Sequence, residues 1–260
     1  MGESMENRYP LFAGGRILKK ESLWDMRDYA YGSQQAIYTG YTDGIIKGCG
    51  IHVKGSHLVI GRGILKYGDF LYQMQEEVQV PFVAENRMVA LKAFFSVKAG
   101  HPDYLSYQAD FRLNHDLERQ ENQIELCRFH LREGSVLRDA YKDFSDLQTR
   151  YDTVNLINAT VAGRRQERLH PTVLLRFAEE MQERGGKDVA DMAFSYEVWN
   201  HAGELERMAV LAYLADKGVA GMAEMHGWDN ERIVSELEGI LLEGRRTIGR
   251  ERGKNIIYVE

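Results

Sequence analysis

Apolar and polar residues alternate in two short runs between residues 51 and 60, on either side of Gly55 and Ser56. Two such runs around a two-residue linker that begins with glycine are typical of a tight β-hairpin. In that register Val53 faces Leu58, and the alternate apolar residues of both runs share one face. The pattern therefore predicts two antiparallel strands.

A second hairpin is predicted directly after the first. Gly68 and Asp69 form its turn, with Tyr67 opposite Phe70. Consecutive short antiparallel strands build a β-sandwich or a barrel, whereas nucleotide-binding βαβ units alternate strands with helices. The first half of the chain is thus predicted to be β-structure.

Three longer runs continue this β pattern. Residues 88–97 are apolar on both alternating faces, as expected of a central strand, and residues 105–113 alternate strictly, as expected of a half-buried one. Between residues 124 and 131 the alternation slips by one position, so that Leu126 and Cys127 belong to opposite phases. Such a slip predicts a β-bulge.

The period changes from two to that of a helix after Gly134. Ser135 is a suitable N-cap, and apolar residues follow at spacings of four, four, three and four from Val136 through Phe144 to Tyr151. The pattern predicts an amphipathic helix over residues 135–151. Residues 153–163 are predicted to be a break or an ordered loop.

Further helical patterns follow in the last hundred residues. Pro171 is suited to the first turn of a helix that Gly185 and Gly186 would end, and Asp229 is suited to cap the last helix. The other helices are predicted over residues 188–200, 204–216 and 230–243.

The predicted fold class is α+β, with an N-terminal antiparallel β-sandwich followed by a C-terminal helical bundle. The domain limits are residues 1–133 for the β-rich domain and 134–260 for the helical domain. Residues 255–259, Asn-Ile-Ile-Tyr-Val, have β character and predict a short terminal strand.

Composition restricts the class of function. The 260 residues are 44% hydrophobic and 28% charged, and the formal net charge is -6, so a basic nucleic-acid footprint is not expected. No apolar run approaches the roughly 20 residues that span a bilayer, and the polar first ten residues predict no signal peptide. We therefore expect cytoplasmic residence, with no nucleic-acid partner and no direct membrane insertion.

Catalytic spacing is absent from the sequence. The eight histidines form no close ligand pair, and no hydrolase elbow or Walker motif occurs. Gly14-Gly15 and Gly61–Gly63 are predicted turns that need positive φ. Cys49 and Cys127 are predicted to be buried thiols, and the polar stretch of residues 115–121 an exposed loop. No catalytic residue, metal or cofactor is predicted.

Two groups of residues are candidates for contacts with a partner. The first is an aromatic-rich N-terminal segment, in which interface anchoring and core packing are alternative roles; its members are Trp24, Tyr29, Tyr31, Tyr38 and Tyr41. The second is the terminal strand, which we expect to add to a sheet edge in this chain or another; its members are Ile256, Ile257 and Tyr258.

One stretch of the sequence resembles a known group of proteins. Residues 43–49, Asp-Gly-Ile-Ile-Lys-Gly-Cys, lead into the first hairpin and then into residues 61–64, Gly-Arg-Gly-Ile. This order resembles the N-terminal β region of phage tail and baseplate proteins. Residues 124–129, followed by Leu137, Tyr141 and Phe144, look like the junction between such a region and a helical stalk.

The outline is similar to the baseplate adaptor of type VI secretion and to receptor-binding proteins of tailed phages, without the adaptor's C-terminal head. The resemblance implies a β shoulder, a helical neck, a homotrimer and no catalytic residues. It implies a non-enzymatic structural component of a contractile tail or injection-system baseplate, in an assembled tail-like particle. The expected partners are other baseplate or tail-fibre proteins.

Two alternatives from other functional classes stay open. One is a soluble ligand-binding or hydrolytic enzyme with a site between the β and α domains. The other is a receptor-recognition module that binds a glycan through an aromatic platform at a loop tip.

Overall fold

The structure, a computed structural model, describes residues 8–184 and 188–253, with side chains to residue 243. The helices are α1 (Lys20–Ile37), α2 (Pro171–Glu183), α3 (Val189–Asn200), α4 (Arg207–Asp216), α5 (Met222–Met225) and α6 (Asn230–Gly253). The strands are β1 (Gly44–Gly48), β2 (Ile51–Lys54), β3 (His57–Ile60), β4 (Gly63–Tyr67), β5 (Phe70–Met74), β6 (Val78–Pro81), β7 (Met88–Lys98), β8 (Ser106–Asn114) and β9 (Gln123–His130).

The strands of the described ranges form three antiparallel sheets, in the orders β1-β4-β5, β2-β3-β6 and β8-β7-β9. Both hairpins are confirmed in register, with Val53 opposite Leu58 and Tyr67 opposite Phe70. The three sheets share one apolar core. The predicted order of strands followed by helices is confirmed in outline, whereas a two-sheet sandwich is not.

The third sheet confirms two predictions. Strand β7 lies in its centre, between β8 and β9. Across β7 and β9, Leu91 faces Cys127 but Lys92 faces Glu125. Leu126 is therefore the extra residue of a bulge, at the position where the sequence pattern slips.

Helix α1 is an element that the sequence analysis did not predict within the β-rich N-terminal part of the chain. Its 18 residues precede the first strand. Their apolar positions recur at helical rather than strand spacing, and the structure follows that period.

The predicted helix over residues 135–151 is wrong. Only Ser145–Gln148 forms a short 3-10 turn, and Val136 is 82% exposed. The Arg138 N–H donates to the carbonyl of Asp152, and the carbonyl of Arg138 accepts from the Val154 N–H. These pairings between distant parts of the chain take the backbone groups that a helix would use.

Side-chain contacts reinforce the same loop. The guanidinium of Arg138 beside Asp146 holds the pKa of that carboxyl well below its ordinary value. The hydroxyl of Tyr141 donates to the carbonyl of Val154 over 2.7 Å. The ordered loop predicted over residues 153–163 is confirmed.

A second core lies among α2, α3, α4 and α6. The helix start at Pro171 is confirmed, and the Asp229 carboxylate accepts from the Arg232 N–H over 2.7 Å, as predicted for its cap. Helix α6 extends ten residues beyond its predicted end. The glycines predicted to end α2 lie outside the described residues. The segment between β9 and α2 supplies residues to both cores, and the domain boundary at residue 133 stays a prediction.

Polar contacts join the start of α6 to the β region. The Asn230 side-chain amide donates to the Ile157 carbonyl over 2.8 Å, and Asn158 donates to Glu231 over 2.8 Å. Arg128 lies 3.9 Å from Glu231 and forms a two-pronged ion pair with the buried Glu125. These contacts fix where α6 begins relative to the sheets.

Glycine has different roles at the two predicted turns. Gly15 has φ +80, as predicted. Gly63 lacks a positive φ, which corrects the expectation, but a Cβ there would lie 2.4 Å from the Lys47 carbonyl oxygen and 2.5 Å from Cys49 Sγ. The close approach of β1 to β4 therefore requires glycine.

We expect Gly63→Ala to lower the free energy of unfolding by about 3 kcal/mol, because β1 must move away from β4. Urea denaturation measures this. The matched control is Gly100→Ala, where a Cβ meets nothing within 4 Å; it should change stability by less than about 1 kcal/mol. Equal effects of the two substitutions would contradict the steric explanation.

His170 gives a pH-dependent prediction. Its Nδ1 accepts from the Thr172 N–H at the start of α2, and burial lowers its pKa from 6.5 to about 4. Between pH 6.5 and 4 the unfolded chain binds a proton that the folded chain excludes, so stability falls as the pH falls.

His170→Asn keeps a capping acceptor and removes this proton. Its stability should decline less steeply between pH 6.5 and 4, by up to about 3 kcal/mol over the interval. Chemical denaturation at several pH values compares the two curves. Parallel curves for wild type and variant would show that His170 titrates normally.

Candidate interaction surface

A chain of aromatic rings connects the second hairpin to the third sheet. Phe70 on β5 stacks on Tyr107 of β8 with ring centroids 3.7 Å apart, and lies 5.1 Å from Tyr72. Tyr72 lies 4.7 Å from Phe95 on β7, which stacks on Tyr67 at 4.6 Å. Because alternate strand residues point to one face, these rings form a continuous aromatic cluster that reaches the surface at Phe70 and Tyr107.

Helix α1 attaches to the outer end of this aromatic cluster. The Tyr31 ring stacks on Phe70 with a centroid distance of 6.3 Å, and the Gln35 side-chain amide donates to the Asp69 carbonyl over 3.2 Å. None of the described residues of α1 is buried. The helix therefore touches the sheet through few side chains and leaves most of its surface in solvent.

The outer face of α1 exposes three large apolar side chains. Residues spaced by three, four and four lie on one helix face, and here they are Met26, Tyr29, Ser33 and Ile37, which we call the outer stripe. Tyr29 is 73% exposed and Ile37 67%. Short isolated helices are only marginally stable in water, and a contiguous exposed apolar surface marks an interaction site.

The segment before α1 extends this surface. Its large apolar side chains are also exposed and continue the apolar character of the outer stripe toward the N-terminus; they are Tyr9, Leu11, Phe12, Ile17 and Leu18.

The structure separates the five predicted aromatic anchors. Trp24 is half exposed beneath the Lys20 ammonium, Tyr29 lies on the outer stripe, and Tyr31 packs on the sheet. Tyr38 and Tyr41 meet edge to face at 5.4 Å, where Arg164 donates to the Tyr41 hydroxyl over 3.2 Å. The predicted terminal residues Ile256, Ile257 and Tyr258 lie outside the described residues.

A cleft of about 540 Å³ opens between α1, β5 and β8. None of the described residues that line it is charged; they are Ala30, Tyr31, Gln34, Phe70, Leu71, Tyr72, Gln73, Met74, Tyr107, Ala109 and Phe111. The cleft is therefore suited to an apolar or uncharged occupant.

Sequence reasoning missed Phe70 and Tyr107 as parts of this surface, and it missed Met26 and Ile37. The helical spacing of residues 26–37 was a signal that could have found the outer stripe. Nothing in the sequence pairs β5 with β8, since that contact joins distant parts of the chain.

The side chains that could act in catalysis or bind a metal do not form a cluster among the described residues. No group of three metal-ligating side chains occurs among the described residues. His52 on β2 lies 3.3 Å from Asp139. Elsewhere, His115 after β8 lies 3.2 Å from Glu85. The cysteines are buried as predicted, and burial raises the pKa of Cys49 to about 12 and that of Cys127 further. Both thiols are therefore protonated and poor nucleophiles at neutral pH.

No protein-family model and no curated protein sequence matches the chain. Solved structures that are similar to it include the following three. A cryo-electron microscopy structure of the type VI secretion system TssK-TssF-TssG baseplate subcomplex has a TM-score of 0.42 and 10% identity, with 92% of this chain and 100% of that chain covered.

A crystal structure of TssK has a TM-score of 0.37 and 11% identity, covering 98% of this chain and 71% of that chain. The baseplate complex from the type VI secretion system has a TM-score of 0.41 and 12% identity, covering 92% and 70%. These three structures are thus of TssK and of baseplate complexes of the type VI secretion system. Within the described residues, no helix is long and apolar enough to cross a membrane.

Tyr31→Ala should detach α1 from the sheet, because it removes the ring that stacks on Phe70. We expect amide hydrogen exchange across residues 20–37 to accelerate at least tenfold, while global stability changes little because the helix buries no residue. Tyr29→Ala is the matched control, since Tyr29 lies on the outer stripe. Equal acceleration in both variants would contradict the docking role of Tyr31.

Proposed function

We propose that this protein is a structural, non-enzymatic component of the baseplate of a contractile tail or injection system, linking neighbouring baseplate or fibre subunits. The observation that carries this is α1, an 18-residue helix with an apolar outer stripe and no buried residue among those described. Such a surface loses its contact with water only in an assembly. The sequence resemblance of residues 43–64 to tail and baseplate proteins supplies the kind of assembly.

The composition of α1 suits a binding surface. Tyrosine, tryptophan and methionine supply large contact areas at protein interfaces, where a few such anchors carry most of the binding free energy. Trp24, Met26 and Tyr29 are all exposed on this helix. We infer that they contact a neighbouring subunit.

The finer form of the proposal has three copies per assembly. The β region is a shoulder-like sandwich that contacts a neighbouring baseplate subunit, and the helices form a bundle that trimerises or presents an adaptor surface. The particle is a phage, a tailocin or a secretion machine.

A glycan-recognition role is the second candidate, favoured by one loop. Tyr104, in the loop between β7 and β8, is 59% exposed, and its ring stacks on His101 at 4.1 Å. This pair of rings is a smaller platform than the apolar side chains of α1, so the structural role ranks first.

The test is incorporation into particles. The tagged full chain, expressed in its source cell, should sediment with tail-like particles, and a reconstruction should show three copies at each position. Met26→Asp with Ile37→Asp should lower incorporation at least tenfold, because two carboxylates would be buried in the contact. Particle-bound and free chain are quantified by immunoblot.

Val136→Asp is the matched control, because Val136 is exposed and apolar but lies between β9 and α2. It should be incorporated like wild type. Absence of the wild-type chain from every tail-like particle would reject the baseplate function. Unimpaired incorporation of the double variant would reject α1 as the contact.

A further inference from the structure

We propose that residues 255–259 of one copy add as a β-strand to the free edge of β5 in a second copy of this chain, inside the cleft between α1, β5 and β8. This exchange needs no other protein and does not depend on the proposed function. Three features support it: the open edge of β5, the uncharged lining of the cleft and the direction of α6.

The open edge follows from the register of the second hairpin. Its two-residue turn makes Tyr67 and Phe70 a hydrogen-bonded pair, and such pairs alternate with non-bonded ones along antiparallel strands. The N–H and carbonyl groups of Leu71 and Gln73 therefore point away from β4. Both residues line the cleft, and none of the hydrogen bonds found among the described residues uses these groups. An edge of this kind is a template for another strand.

The terminal segment fits this edge in chemistry and in length. Residues 255–259 are uncharged and flanked by Lys254 and Glu260, and the cleft lining is uncharged too. Five residues match the length of β5. In an added strand, Ile257 and Val259 would lie on one face, and Ile256 and Tyr258 on the other.

The direction of α6 indicates a second copy as the acceptor. The helix begins beside the third sheet, where Glu231 lies 3.9 Å from Arg128 of β9. Helix α2 also begins near the β region, because Arg168 pairs with Val161, which bridges to β1. The two helices reach a common end, where Arg184 donates to the Leu241 carbonyl, so α6 runs away from the sheets.

After Leu241, α6 continues to Gly253 and reaches a total length of about 36 Å. Only Lys254 separates the helix from the proposed strand, and one residue spans at most about 3.6 Å. The described end of α6 therefore runs away from the sheets, which favours a second copy as the acceptor.

The proposed contact joins two different surfaces, a donor strand and an acceptor cleft. Such a head-to-tail contact closes into a ring when the rotation between copies permits, and otherwise extends. It also means that donor and acceptor can be disabled in separate chains, which gives a sharp test.

The test uses the purified full chain in a dilution series followed by sedimentation velocity. Ile257→Asp disables the donor by placing a charge in an uncharged cleft. Gln73→Pro disables the acceptor, because it removes an N–H that points into the cleft and leaves the β4 ladder intact. Each variant should self-associate at least tenfold more weakly than wild type.

An equimolar mixture of the two variants should restore one interface, since the intact strand of one chain can enter the intact cleft of the other. We expect the mixture to form dimers that grow no further. The matched control is Gln79→Pro on β6, another edge strand, where the same pairing rule points the N–H away from β3. It should associate like wild type.

A second measurement covers the possibility that Gln73→Pro does not fold, which its thermal unfolding will show. A synthetic peptide of residues 254–260 in excess should dissociate wild-type assemblies, and the same peptide with Ile257→Asp should not. The proposal is overturned if wild type is monomeric at every concentration, if Ile257→Asp associates like wild type, or if a mixture of folded variants fails to form dimers.

Discussion

The stacking of Phe70 on Tyr107 is a direct contact between two sheets of the β region. The two rings lie 3.7 Å apart on β5 and β8, which belong to different sheets. The same Phe70 ring receives Tyr31 from α1 and lies against Tyr72, whose neighbours lead into the core. One aromatic side chain thus joins two sheets and seats the N-terminal helix, and it also forms a wall of the uncharged cleft.

Much of the fold could be predicted because local patterns and final burial agree. The hairpin turns, the bulge at Leu126 and the helix start at Pro171 each follow from a few neighbouring residues. The predicted helix after Ser135 failed because its apolar residues are spread over two cores and Arg138 pairs with residues 152–154. Long-range pairing of this kind leaves no local signal and overrides helical periodicity.

The candidate surface could be predicted only in part, because only some of its features are local in sequence. An aromatic-rich segment stands out in composition, so Trp24, Tyr29 and Tyr31 could be named from the sequence. Its helical form was not predicted, although the apolar residues of 26–37 recur at helical spacing, and no described residue of α1 is buried. The cleft depends on β5 meeting β8, a contact between distant residues that a single sequence does not reveal.

An unburied helix and an open strand edge in one chain have a common physical consequence. Helix α1 exposes apolar side chains that a partner could bury. Strand β5 leaves the backbone N–H and carbonyl groups of Leu71 and Gln73 free to pair with another strand. The free energy gained by burying apolar side chains depends on the area buried and not on direction. Strand addition, by contrast, fixes the register and direction of the added strand. None of the residues of the outer stripe lines the cleft. In the two proposals, the helix binds a different protein and the strand edge sets how copies of this chain are arranged.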